Sequence, residues 1–167
     1  MDAVLNKLHN YLSGILREKA KAKIIILGLG NLLKQDDAFG SLLAKRLIEK
    51  NLKRFSVFDL EDVPQNYLGK MIKEAPDFVL LVDAVSFNAA PGDIRIFTPD
   101  ELVTKGVFFT HNASIGFMMN FLKENTDAPV MLLGVQPKQM DFGEGLSEEL
   151  EKALNRLEDW IENEDSL

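Results

Sequence analysis

The sequence predicts an α/β fold: a single-domain three-layer sandwich, with a mostly parallel twisted sheet of about five strands and helices on both faces. Three observations predict it. Short apolar runs such as Ile24–Leu27, Phe78–Val82 and Val130–Val135 carry no polar alternation, as expected of strands buried on both faces. Segments with apolar residues at helical spacing separate them. The length, 167 residues, suits one compact domain, and no repeat or Pro/Gly/Ser-rich linker divides it.

Residues 1–22 read as an N-terminal helical extension, and residues 23–167 as the main domain. Leu5, Leu8, Leu12 and Ile15 recur at steps of three and four, on one helical face. The run from Arg17 to Lys23 is basic and leads into the first strand. Ile24-Ile25-Ile26-Leu27 ends in Gly28-Leu29-Gly30-Asn31. A helix is expected over 37–50, with Ala38, Leu42, Leu43, Leu47 and Ile48 inward. Phe55–Leu60 is the second strand. A helix over 66–74 turns Tyr67, Leu68, Met71 and Ile72 to one side. Phe78–Val82 is the third strand, ending at Asp83.

Pro91-Gly92 marks a turn. Ile94–Phe97 alternates and is short, as an antiparallel edge strand would be. One or two helical turns follow over 100–105, then a third major helix over 113–123 and the strand Val130–Val135. The last helix starts at Ser147, which is placed to cap it, with Glu148 and Glu149 in the favourable first turn. Leu150, Ala153, Leu154, Leu157, Trp160 and Ile161 face inward.

Composition excludes several function classes. There are no cysteines, so disulfides, iron–sulfur ligation and a cysteine nucleophile are ruled out. A net charge of −7 argues against nucleic-acid binding and against docking on anionic membranes. No apolar run reaches the ~18 residues of a membrane span, so no membrane insertion is expected. Asp2, Lys7, Arg17 and Glu18 interrupt any secretory core, which makes a cytoplasmic location the expectation.

In an open α/β sheet, ligands bind beyond the C-terminal ends of the strands. Asp36-Asp37 follow the first strand, Asp83 the third, and His111 stands at the start of a helix. Each has a plain structural explanation. Asp37 suits a helix first turn, with Asp36 the better candidate for the cap. Asp83 can cap its loop, although a carboxylate ending a buried strand is costly unless paired or metal-bound. His111 can be a hydrogen-bonded loop residue, whereas His9 is expected on the surface. Together, two carboxylates and an imidazole make a reasonable divalent-metal ligand set with positions left open. Gly28-Leu29-Gly30-Asn31 lacks the third glycine of a dinucleotide fingerprint. It reads as a tight turn that lets backbone approach a ligand or another chain.

Gly28-Leu29-Gly30-Asn31, Asp36-Asp37-Ala38-Phe39-Gly40, Leu81-Val82-Asp83-Ala84, Pro91-Gly92, Thr110-His111-Asn112, Gly134-Val135-Gln136-Pro137 and Leu146-Ser147 stand in that order. This ordered set resembles the endopeptidases that mature nickel-iron hydrogenases, nearest the branch for hydrogen-evolving, energy-converting hydrogenases. The resemblance implies an endopeptidase that removes the C-terminal extension of a large-subunit precursor after nickel insertion. It assigns metal contact and catalysis to Asp37, Asp83 and His111, and a substrate cleft to Gly28, Gly30, Asn31, Asp36 and Thr110. Nickel would arrive with the precursor, and other divalent metals could occupy the same ligands. Asp37 or Asp83 as a general base, an aspartyl-type role, stays beside metal-assisted hydrolysis. Phe87–Gly92 would flank the cleft, and the precursor's tail could add as a strand. The partner is the hydrogenase large-subunit precursor, and the protein is expected as a monomer or weak dimer. Residues 1–22 exceed the short N-terminus usual in the family. Two other readings compete: a small-molecule or nucleotide-binding enzyme using the glycine loop, and a non-catalytic assembly scaffold.

Overall fold

Five strands form one sheet in the order β2-β1-β3-β5-β4. The computed structural model describes residues 2–104 and 112–166. β1 (Ile24–Leu29), β2 (Phe55–Glu61), β3 (Phe78–Ala84) and β5 (Val130–Val135) run parallel, while β4 (Ile94–Phe97) closes one edge antiparallel to β5. Every residue of β1 and β3 is buried, as their unbroken apolar character requires.

The pleat sorts the strand residues into two cores. Ile24, Ile26, Phe78, Leu80 and Val82 pack with α1 (Asp2–Glu18), α2 (Phe39–Glu49) and α6 (Glu148–Asp165). Ile25, Leu27, Val79 and Leu81 pack on the opposite face with Met71 of α3 (Leu68–Lys73) and with Ile115, Met118, Met119 and Leu122 of α5 (Asn112–Asn125). The short α4 (Pro99–Thr104) adds Leu102 there. The three-layer sandwich is thus built from both parities of the same strands.

Several local expectations shift. The helix read over 37–50 begins as a 3-10 turn, Gln35–Ala38, and becomes α2 only at Phe39. Gln35 has φ 45°, outside helical space, so the chain enters the helix through a bend. The 66–74 segment likewise opens as a 3-10 turn, Pro64–Tyr67, before α3. β3 extends to Ala84, which places Asp83 inside the strand, opposite Gly134 of β5.

α1 buries Leu5, Leu8 and Leu12 in the core it shares with α2 and α6. His9, expected on the surface, is half-buried, and its Nδ1 lies 2.7 Å from Glu164 Oε1 of α6. Among the described residues, no helix is long and apolar enough to cross a membrane.

Candidate functional site

β2 and β3 leave β1 on opposite sides, so the C-terminal ends of β1 and β3 form the switch point where open α/β sheets bind ligands. Asp83 stands there. It shares the parity of Val79 and Leu81, which turns it to the α5 face, and it is only 2% exposed. The backbone N–H of Ala84 donates to its Oδ1 at 2.9 Å.

Three close backbone approaches bring Asp37 to the same rim. A Cβ on Gly40 would stand 2.0 Å from the carbonyl oxygen of Val82, so the first turn of α2 lies against the end of β3. A Cβ on Gly28 would meet the carbonyl oxygen of Gly40 at 2.1 Å, and one on Gly30 that of Asp37 at 1.9 Å. Gly30 also has φ 144°, which a side chain would strain. Asp37 is fully buried, and Asn31 N–H donates to its Oδ2 at 3.3 Å. The glycine loop therefore does serve close approach, but to its own chain. Gly28, read as a cleft residue, is turned onto α2 instead.

Asp36 also departs from expectation. It caps no helix of its own segment, since neither the 3-10 turn nor α2 has a side-chain cap. Nor does it face a substrate cleft. Its carboxylate is fully buried and accepts four hydrogen bonds: Lys138 N–H at 2.8 Å, Gln139 N–H at 3.0 Å, Ser147 N–H at 2.7 Å and Ser147 Oγ–H at 3.0 Å. Ser147 holds the N-cap position of α6 but makes no side-chain cap bond, because its hydroxyl is given to Asp36.

A small cleft, with room for about one water molecule, lies at the switch point, lined by Leu29, Gly30, Glu61, Asp62, Pro64, Asp83 and Ile115. Glu61 and Asp62 were not among the expected site residues. They reach the rim through a register shift between β1 and β2, with Glu61 at φ 50°. Asn31 Nδ2 donates to Asp62 Oδ2 at 3.2 Å, so Asn31 braces Asp37 and Asp62 at once. Their position at the C-terminal end of β2 was the available signal. Gln136 was quoted only as part of a motif, yet its side chain is buried and organises the loop after β3. Its Oε1 accepts N–H groups of Phe87 and Ala89 at 2.8 and 3.3 Å.

Thr110 and His111 lie outside the described residues, although α5 begins at Asn112 on the Asp83 face. Among the described residues, no group of three or more His, Cys, Asp or Glu is placed to hold a metal ion. Asp37 and Asp83 offer oxygen donors of the kind divalent cations accept, and a third ligand would have to come from elsewhere.

Comparison with known proteins gives a consistent picture. A family model described as hydrogenase maturation protease (HycI) matches residues 39–164. The chain is 30% identical over 143 residues to the hydrogenase 3 maturation protease of Escherichia coli K12, covering 83% of this chain and 91% of that protein. A crystal structure of a [NiFe] hydrogenase maturation protease HycI from Thermococcus kodakarensis KOD1 superposes with a TM-score of 0.82 at 30% identity. It covers 94% of this chain and 99% of that one. A solution structure of an endopeptidase HycI from Escherichia coli gives a TM-score of 0.74 at 28% identity, over 82% and 87% of the two chains. Residues 23–167 amount to less than nine-tenths of the chain, so the Thermococcus match reaches into the N-terminal helix.

Proposed function

The chain belongs to the hydrogenase maturation protease family and is a peptide-bond hydrolase, and from that premise we propose that it removes the C-terminal extension of a nickel-iron hydrogenase large-subunit precursor once nickel is in place. The observation that carries this reading is that the segments holding Asp37 and Asp83, two buried carboxylates, meet at the C-terminal ends of β1 and β3.

Nickel is cargo of the substrate in this scheme. Asp37, Asp83 and His111 engage the positions that the precursor leaves open on it. Coordination orients the scissile peptide and polarises its carbonyl. A carboxylate not engaged on the metal can take the proton of the attacking water, as a general base. Burial serves both roles, because a carboxylate shielded from water interacts more strongly with a cation brought to it. Asn31, through Asp37 and Asp62, keeps the β1 loop in register with the cleft.

The glycine loop gives no support to a nucleotide site. Gly30 N–H donates to the Glu61 carbonyl at 3.0 Å and Asn31 N–H to Asp37 Oδ2 at 3.3 Å, where a phosphate cradle would need free N–H groups.

The test mixes this protein with precursor, loaded or unloaded with nickel, and follows precursor mass. Loss of the tail peptide is expected only from the loaded form. Binding without loss of mass would favour the scaffold instead. Cleavage at the normal rate by Asp37→Ala or His111→Ala would sink the residue assignment.

A further inference from the structure

Two bulky apolar side chains stand in solvent close to the Asp37 rim. Phe142 is 83% exposed and Leu33 is 51% exposed, and among the described residues Phe142 is the most exposed large hydrophobic. They belong to segments remote in sequence that meet as neighbouring backbones. Lys34 and Gly143 form a parallel bridge, so Leu33 and Phe142 occupy the positions just before the bridged pair.

The meeting is firmly built. Gly143 N–H donates to the Leu33 carbonyl at 2.8 Å, and Gln35 N–H donates to the Gly143 carbonyl at 2.9 Å. Asp36 N–H donates to the Gln139 carbonyl at 3.1 Å, and the buried Asp36 carboxylate holds the 138–147 segment from below. Fixing the backbone this way removes much of the ordering cost that a partner would otherwise meet. The side chains themselves contribute nothing to the core. A rigid, exposed aromatic beside an aliphatic, flanked by the exposed polar residues Lys34, Asp141 and Glu144, has the make-up of an interface hot spot with a polar rim.

Position selects the occupant. Leu33 lies four residues before Asp37 and two after Asn31, on the loop that braces the cleft. Both segments follow the C-terminal ends of parallel strands, β1 and β5, so Leu33 and Phe142 stand on the same edge of the sheet as the cleft. We propose that Leu33 and Phe142 form an exosite that seats in an apolar depression on the folded body of the hydrogenase precursor. This inference rests on the proposed function for the identity of the substrate. It supplies what a metal-centred site lacks, namely recognition of the protein that carries the metal.

The experiment measures both the Kd of nickel-loaded precursor and the kinetics of tail removal. It compares wild type with Phe142→Ser, Leu33→Ser and Ile48→Ser, the last being a 50% exposed control on α2. Phe142→Leu is the conservative rescue. Phe142→Ser and Leu33→Ser should each weaken binding and raise KM about tenfold, with kcat changed less than about twofold. Ile48→Ser and Phe142→Leu should stay near wild type, and all melting temperatures should agree within a few degrees. Unchanged Kd in both serine variants overturns the exosite. So does a change confined to self-association by sedimentation, which would assign the patch to a second copy of this chain. If binding weakens as expected but wild type never cleaves, the exosite stands and the peptidase reading of this substrate fails.

Discussion

Gly40 and Val82 are in backbone contact: a Cβ on Gly40 would stand 2.0 Å from the Val82 carbonyl oxygen and 2.4 Å from that of Leu29. Neither obstacle is a flexible side chain that could turn away. The contact wedges the start of α2 between the ends of β1 and β3, and so sets the distance between the segments carrying Asp37 and Asp83.

Gly40→Ala should therefore cost at least about 3 kcal/mol, since only main-chain displacement can admit the methyl group. Gly14→Ala is the matched control. Its Cβ would meet nothing within 4 Å, and alanine favours the α1 helix by about 1 kcal/mol over glycine. Thermal melting of the two variants should move in opposite directions. A Gly40→Ala protein with wild-type stability would show that the wedge is not rigid.

Asp36→Ala leaves the N–H groups of Lys138, Gln139 and Ser147 and the Ser147 hydroxyl without their buried acceptor. A loss of about 3 kcal/mol or more is expected in denaturant unfolding. Asp36→Asn keeps one acceptor oxygen but turns an amide toward N–H donors, and should recover only part of that loss.

Asp83→Asn should separate chemistry from folding. An asparagine oxygen can still accept from Ala84 N–H, so the melting temperature should fall by no more than a few degrees. Tail removal from loaded precursor, the proposed reaction, should drop about 100-fold or more as the anionic ligand or base is lost. Retained cleavage would remove Asp83 from the proposed site.

Acid stability gives a fourth check, remote from the cleft. The Lys19 ammonium, and then the Lys23 backbone N–H, hold the Asp77 carboxyl below its usual value. A depressed folded-state pKa contributes stability above the unfolded value, near 3.8, and loses it as pH falls through the folded value. The melting-temperature advantage of wild type over Asp77→Asn should be constant from pH 7 to about 5, then shrink below about pH 4. An advantage that grew on acidification would refute the assignment.

The strands were legible because burial on both faces writes an unbroken apolar run, and β4 and β5 have the bounds their patterns suggest. Helix starts were less so. The Gln35–Ala38 turn depends on Gln35 at positive φ and on partners in the 139–143 segment, neither of which is periodic in sequence. The strand-end rule placed Asp37 and Asp83 at the C-terminal edge of the sheet, where they lie, but gave Asp36 the wrong partners. A cap was the local guess for Asp36, whereas its hydrogen bonds span more than a hundred residues. Glu61 and Asp62 escaped notice because a register shift, not a motif, carries them to the rim. Thr110 and His111 remain sequence-based assignments.

The bond between Asp36 and Ser147 also bears on when this protein becomes itself. A ribosome delivers the N-terminus first. Asp36 must wait for Lys138, Gln139 and Ser147 before its carboxylate has anything to hold, and α6 follows only after Ser147. Both proposed acids precede Lys138, so they are translated before the frame that aims the first of them can close. A nascent or C-terminally clipped chain would carry the acids without that frame. Competence to cut is in this sense acquired only once the chain has been made through Ser147 and α6.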